Sequence, residues 1–357
     1  MAKHTSHDLK QMQSLPLEAK IIMTKQRIQA WYEAWKRYEI VNKITGKTRF
    51  VTATEEPPLK EGEYIESEID GQVYVSFSGG KDSTVLKHIV DSMYDDVPSL
   101  FVNTGLEYPE IQKFAMSQKN VITVRPEMRF DEVLKTYGYP VISKEVSQKI
   151  YDYRKNPNGW TKDRFDKNSD YVKRYGKAYC LSKWTWLRDS DIPISDRCCH
   201  IMKKKTVKQF EKEIGRKPFI GSMASESRNR KTAWIKNGCN AFDATRPTSQ
   251  PLSFWTEQDV LQYIKEFNVP YCSVYGDIIE VDGKFKTTGC DRTGCIFCMF
   301  GCHLEKSPNR FQRLKETHPR QYEYCIGGGE MVDGKWQPNK EGLGLGKVLD
   351  YIGVDYE

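Results

Sequence analysis

Gln72–Val90 reads QVYVSFSGGKDSTVLKHIV, and the fold is decided there. Residues 73–77 (VYVSF) are apolar, β-branched or aromatic with little alternation, the pattern of a buried parallel strand. Gly79 and Gly80 follow, residues that can take backbone angles closed to others, so that amides turn inward around an anion. Lys81 adds a mobile positive charge, and Ser78 and Ser83 add hydroxyl donors. A helix over 83–90 would then aim its positive dipole end at the occupant of the turn. Ser78, Gly79, Gly80, Lys81, Asp82 and Ser83 are therefore expected to hold a phosphate-bearing ligand. The spacing is not that of a Walker loop, which needs GxxxxGK[ST].

Outward from this stretch, strands and helices alternate. Strands are expected at 99–103, 121–124 and 219–221, and helices at 110–118, 130–137, 144–154 and 256–267. Repeated βα units imply a parallel sheet covered on both faces, with ligands at the carboxyl ends of its strands. Before the sheet, Pro16 suits a first helical position, and Leu17, Ile21, Ile28, Trp31, Trp35 and Tyr38 recur at helical spacing. A core-facing helix is expected over 16–39, then a hairpin about Thr45-Gly46 and a proline- and acid-rich loop. Residues 156–196 carry interleaved basic and aromatic side chains with weak periodicity. They read as a lid or substrate-binding insertion with a composition suited to stacking nucleic acid, or as a solvated helical insertion.

The chain has 357 residues, 38% of them hydrophobic and 29% charged, with a formal net charge of +7. That length accommodates one large domain with an appendage or two smaller ones. The basic excess fits an anionic small molecule or a nucleic acid without deciding between them. No apolar run is long enough to span a membrane, and MAKHTSHDLK lacks a signal-peptide core, so a cytoplasmic location is expected. In that compartment the ten cysteines point to metal or redox chemistry rather than disulfides.

Those cysteines cluster. Cys198 and Cys199 are adjacent in DRCCHIMKKK, and Gly289–His303 reads GCDRTGCIFCMFGCH. Cys295 and Cys298 form a CxxC, and Cys290, Cys295 and Cys298 match a plant-type ferredoxin spacing. Zinc suits the same knuckle with His303 nearby. Two further segments sit at expected strand ends. NTGLEYPE (103–110) offers Thr104 and Glu107 at a glycine turn, and GSMASESRNR (221–230) offers Arg228 as a guanidinium fork for phosphate or sulfate oxygens. A plain turn and a solvated arginine are the alternatives.

SGGKDS resembles the pyrophosphate loop of the adenine-nucleotide α-hydrolase (PP-loop) superfamily. NTGLEYPE is similar to the DTG..(F/Y)PET segment of phosphoadenosine phosphosulfate (PAPS) reductases and sulfate adenylyltransferases, with Asn103 in the aspartate position. GSMASESRNR resembles their G.R..ES..R, with Met223 replacing the first arginine. PLSFWTEQDVLQYIKEFNVPY (251–271) is similar to PL..WTE.DVW.YI...N.PY, where Thr256 with Asp259 reads as a helix cap. The Cys198-Cys199 pair with the distant CxxC resembles the cluster ligands of assimilatory adenylyl-sulfate (APS) reductases. The resemblance spans roughly 72–302 and identifies the chain as PAPS reductase-like.

It implies a Rossmann-like α/β fold, a twisted parallel sheet with helices on both faces plus a cysteine-rich appendage. The expected divisions are 1–70 (helix and hairpin), 71–275 (nucleotide domain with the 156–196 insertion), 276–325 (cysteine-rich segment) and 326–357 (tail). It also implies nucleotide binding by residues 78–83 with Thr104, Glu107 and Arg228, and catalysis by Lys81, Asp82 and Arg228. A [4Fe–4S] cluster on Cys198, Cys199, Cys295 and Cys298 follows, with Cys290 and Cys302 as alternates and zinc as the other metal. Reductases of this family carry a nucleophilic cysteine in an ECG.H-type tail, which GLGLGKVLDYIGVDYE lacks. They usually carry an altered loop as well, whereas SGGKDS keeps the lysine of the ATP-type loop. The expected reaction is therefore Mg²⁺-assisted cleavage of ATP at the α-phosphate with pyrophosphate release, with sulfur passing to a nucleic acid or small molecule. Reduction of PAPS or APS to sulfite is one alternative, and a nucleic-acid-binding module with a structural cluster is the other. A sulfur-donor or reductant protein is the implied partner, and a homodimer is compatible with the sequence.

Overall fold

The computed structural model describes residues 4–357, and the chain divides into two compact units. The first comprises residues up to Asn103, Tyr108–Val124 and Val207–Thr293. Its six-stranded sheet runs in the order Val121–Val124, Ser99–Val102, Val73–Phe77, Lys217–Ile220, Thr248–Ser249, Asn240–Ala241. Every pair is parallel except the last. Connections from the central Val73–Phe77 strand first run one way across the sheet and then return on its other side. The loop after Phe77 therefore opens where the strand order reverses, the place where such sheets bind ligands.

Period-two alternation divides the central strand between two faces. Val73, Val75 and Phe77 join a core with Ile28, Trp31, Val85, Leu86, Ile89, Trp255, Val260 and Ile264. These come from the helices Leu17–Ala34, Lys81–Asp91 and Glu257–Glu266 and the loop before the last. Tyr74 points the other way, with Leu100 and Phe210 of helix Thr206–Ile214. Helices thus cover both faces, and the fold is the expected Rossmann-like α/β type.

The N-terminal helix corrects the sequence reading. It ends at Ala34, not at 39, and Lys36–Asn42 is a strand paired antiparallel with Thr48–Ala53 on one side and Glu63–Ile69 on the other. Trp31, Trp35 and Tyr38 mimic helical spacing, but Tyr38 and Ile40 are the buried alternate positions of this strand. The hairpin at Thr45-Gly46 is present, with Gly46 at φ +66°. In the glutamate-rich third strand, EYIESEI, Tyr64, Ile65 and Ile69 do not form a period-two alternation, so no strand pattern shows in the sequence; Arg49 holds Glu63 with two nitrogens, at 2.9 and 2.7 Å.

The second unit comprises Thr104–Glu107, Arg125–Thr206 and Gly294–Glu357. The 156–196 stretch within it is a chain of short helical turns, Trp160–Arg164, Asp170–Tyr175, Lys177–Tyr179, Ser182–Trp184 and Thr185–Arg188. Its far end is pinned. The Arg154 guanidinium donates to the carbonyls of Leu187, Arg188, Ser190 and Ile192 at 2.6–2.9 Å. Binding four carbonyls with one guanidinium gives the insertion a fixed return point. Among the described residues no helix is long and apolar enough to cross a membrane.

Candidate functional site

In the first unit the glycine loop is built as its sequence implies, with two amendments. Gly79 takes φ +72°, and a Cβ there would lie 3.0 Å from the Ile111 side chain and 3.2 Å from its carbonyl. Conformation and packing therefore both require glycine at 79. Gly80 has φ −75° and caps the helix, which starts at Lys81 rather than at 83. Its need for glycine is spatial, because a Cβ would meet Ser78 Oγ and Tyr275 Oη at 3.3 Å each. The serines brace the turn: Ser78 N donates to Ser83 Oγ at 3.2 Å, and Ser83 Oγ donates to the Gly80 carbonyl at 2.9 Å.

Lys81 is the second amendment. Its side chain is 5% exposed, not mobile, and its Nζ donates to the Asp291 carbonyl at 2.5 Å and pairs with Glu257 Oε1 at 2.9 Å. The Lys81 amide donates to Tyr275 Oη at 3.1 Å, and that hydroxyl shares a 2.7 Å hydrogen bond with Thr293 Oγ1. Tyr275 and residues 291–293 thus engage the donors that a phosphate would use. Sequence reasoning missed all of them. The signal that could have found them is DRT, a charged and hydroxylated triplet inside a cysteine-rich segment.

Asp82 is half-buried in the same helix turn. Its Oδ1 is buried without a hydrogen-bond partner, and burial raises its carboxyl pKa against the opposing pull of Lys81, Arg292 and Arg230. Arg230 in turn is pulled down by burial and by the charge of Arg292. The cations that act on Asp82 are therefore Lys81, Arg230 and Arg292. Arg228 is exposed at the start of helix Arg228–Asn237, where Ser227 supplies the cap. Arg230 also pairs with Glu226.

Thr256 and Asp259 form the helix cap that their spacing implies. The Thr256 side chain accepts from Asp259 N, and Asp259 Oδ2 accepts from Thr256 N. Asp259 also receives Lys20 Nζ on both oxygens at 2.8 Å, with the lysine buried. The pair fastens the N-terminal helix to this one.

Thr104 and Glu107 belong to the second unit. Glu107 accepts from Thr104 N at 3.1 Å and from Thr104 Oγ1 at 2.7 Å, and it faces Lys203 Nζ at 3.6 Å. They close the turn on each other, and Lys203 leads from them to the thiols. Cys198 and Cys199 bring their sulfurs to 3.9 Å just ahead of the π-helical turn His200–Lys205, an irregularity common at functional sites. Donating to Cys199 and being buried keep the Cys198 thiol protonated, with the charges of Cys298 and Cys295 adding to the effect. Cys199 is lowered by that same hydrogen bond and by Lys144 and Lys203. Burial pulls Lys203 down, but the charges of Cys295, Glu107 and Cys199 outweigh it and hold the ammonium. Cys295 is pushed up to about 11, chiefly by burial.

Four thiols from two distant segments therefore act on one another electrically, with cations beside them. In kind this donor set fits an iron–sulfur cluster or zinc. It is not drawn closed: among the described residues no three His, Cys, Asp or Glu side chains converge in ligating geometry. Of the alternates, Cys302 is buried and donates to the Met299 carbonyl at 3.1 Å. Cys290 lies in the first unit, where its charge acts on Cys272. All ten cysteines are free of disulfides.

Residues 72–299 match the model of the phosphoadenosine phosphosulfate reductase domain, well over half of the chain. The chain belongs to this family. Among its relatives is an uncharacterized protein of Methanocaldococcus jannaschii, 24% identical over 253 residues, which are 69% of this chain and 45% of that one. The chain thus spans less than half the length of that relative. A search of solved structures matches the PAPS reductase of Candida auris in its phosphate complex at a TM-score of 0.32 and 15% identity. That match covers 60% of this chain and 83% of the other. Within the PAPS reductase domain family, the loop, the Thr104–Glu107 turn and the cysteine set of this chain all fall inside the matched span.

Proposed function

We propose that the protein binds ATP in the Ser78–Ser83 loop and cleaves it at the α-phosphate. The observation that carries this reading is Lys81, which is retained in the loop with a buried side chain, next to Asp82, whose carboxyl feels the charges of Lys81, Arg292 and Arg230. A lysine and two arginines acting on one carboxylate suit a triphosphate with its metal. Asp82, with one buried oxygen left without a partner among the described residues, is the residue that would hold Mg²⁺, which would supply charge neutralisation to the phosphates. The β- and γ-phosphates take the loop amides, displacing Tyr275 Oη from Lys81 N and freeing Lys81 from Asp291 and Glu257. An acceptor oxygen attacks the α-phosphorus, and the bond to the bridging oxygen of the β-phosphate breaks. The electron pair leaves with pyrophosphate, whose charge Lys81 and the arginines stabilise. The acceptor is left adenylylated and open to attack by a sulfur nucleophile that expels AMP.

Cys198, Cys199, Cys295 and Cys298 would hold the cluster, which supplies a bound sulfur or a redox centre for that later step. Lys144 and Lys203 offset the thiolate charge it requires.

Sulfonucleotide reduction would need a nucleophilic thiol outside the four-cysteine set, from Cys290, Cys302 or Cys325, and Cys325, the last cysteine of the chain, is a poor candidate. It is 0% exposed on helix Pro319–Ile326, and burial pushes its thiol well up, so it is inert as a nucleophile. Cys302 is equally buried, which leaves Cys290 as the only one of the three with access.

The test is product analysis on anaerobically purified protein, offered either ATP–Mg²⁺ or PAPS with a thiol reductant. Pyrophosphate and AMP from ATP, lost in Lys81→Ala, are expected. Sulfite from PAPS with ATP neither bound nor consumed would overturn the proposal, and loss of that sulfite in Cys290→Ser would identify the nucleophile.

A further inference from the structure

The second unit carries a surface that the chemistry above does not use. Between Lys149 and Arg188 lie eleven Lys and Arg against four Asp and no Glu, an excess of seven that equals the net charge of the whole chain. The same stretch holds nine aromatic residues, and several rings stand in solvent. Trp160 is 59% exposed, Tyr175 51% and Tyr179 48%. Through Tyr171 they form a row, with successive ring centroids 6.2, 4.6 and 6.3 Å apart.

The row has a rigid base. Arg164 is buried beneath it, 5.4 Å from the Tyr171 ring and 5.8 Å from that of Tyr179, and its Nε donates to the Tyr179 carbonyl at 2.6 Å. Lys149 and Arg174 stand over Trp160 and Tyr175 at 4.4 and 5.5 Å. Lys162, Lys167 and Lys177 are exposed around it. An exposed aromatic row of this size on a well-packed unit is unlike ordinary solvated surface. A protein partner is disfavoured by the lysines, which are depleted at protein–protein interfaces. A duplex would engage the cations but not the rings, because its bases are already stacked.

We infer that this face binds single-stranded nucleic acid, with bases stacked on Trp160, Tyr175 and Tyr179 and the phosphate backbone tracked by the surrounding lysines. As the acceptor of the adenylyl chemistry, the strand rests on the ATP reading above. As a binding surface it does not, and its test omits nucleotide.

The experiment is fluorescence anisotropy with the full chain and labelled oligonucleotides of roughly 16 residues. Single-stranded DNA, single-stranded RNA and the matching DNA duplex are titrated across salt concentrations. Tighter binding of at least one single strand than of the duplex is expected, with affinity falling linearly on a log–log salt plot. The triple variant Trp160→Ala, Tyr175→Ala, Tyr179→Ala should weaken single-strand binding by roughly tenfold or more with little change in salt slope. Replacing all three with Phe should keep most of the affinity. Lys162→Gln with Lys167→Gln and Lys177→Gln should instead flatten the salt slope. Duplex binding as tight as single-strand binding, or undiminished binding by an alanine variant whose circular dichroism matches the parent, would overturn the inference. Because no ATP is present, either result leaves the product analysis of the loop untouched.

Discussion

The glycine loop and the cysteine set differ in how they are made. The loop is one continuous stretch, and its shape is dictated within it: Gly79 at positive φ, serines bracing the turn, a helix starting at Lys81. The cysteine set draws two residues from before a π-helical turn and two from a CxxC far along the chain, and only folding brings them together. Contacts local in sequence cost little chain entropy to close, whereas distant ones depend on everything between them. The loop should therefore tolerate damage elsewhere, and the cysteine set should register it.

The largest expected effect is Lys81→Ala. Removing a cation that stabilises developing charge on a leaving group costs on the order of 10²–10³ in turnover. Pyrophosphate release should fall by that much while the metal content of the purified protein stays at the parent level. A parallel loss of metal would erase the distinction between the two regions. Cys295→Ser is the reciprocal test. Iron or zinc should be stripped by a chelator at roughly tenfold lower concentration or less, by analogy with the sensitivity of metal sites to altered shells. ATP binding at the loop should persist. Cys325→Ser, the control thiol, should leave metal retention unchanged.

The same contrast sorts what the sequence reveals. The strand–loop–helix, its place in a parallel sheet, and the Thr256–Asp259 cap were legible because each is specified within a few residues. The helix end at Ala34 was not, because Trp31, Trp35 and Tyr38 satisfy a helical period while Tyr38 and Ile40 satisfy a strand period, and only pairing with Thr48–Ala53 and Glu63–Ile69 decides the case. Cys198, Cys199, Cys295 and Cys298 stand out in the sequence as two clusters, but nothing local to either cluster sets their arrangement. That the charges of Arg230 and Arg292 reach Asp82 was not legible, since nothing local distinguishes Arg230 from Arg228. Lys81 was read as mobile because its tethers, Asp291 and Glu257, come from elsewhere in the chain.

Two smaller effects sharpen the picture of the loop. Thr256→Ala removes a helix cap and should lower stability by about 1 kcal/mol, visible as a shift of the denaturation midpoint with an unchanged slope. The cap belongs to the helix that also carries Glu257 and receives Lys20 on Asp259, so a larger loss would mean that the Lys20–Asp259 pair depends on it.

The smallest effect is the most specific to function. Glu257 holds Lys81 Nζ at 2.9 Å, yet its own side chain is 49% exposed, so the pair is solvent-screened and worth about 0.5 kcal/mol. A nucleotide must overcome that pairing before Lys81 can serve a phosphate. Glu257→Gln removes the competing charge without changing the shape, and ATP should then bind about twofold more tightly, read as a lower Kd in equilibrium dialysis. A weaker Kd would mean that the carboxylate assists the nucleotide, through its magnesium or its ribose, and does not merely restrain the lysine. Either result assigns Glu257 a sign in nucleotide binding.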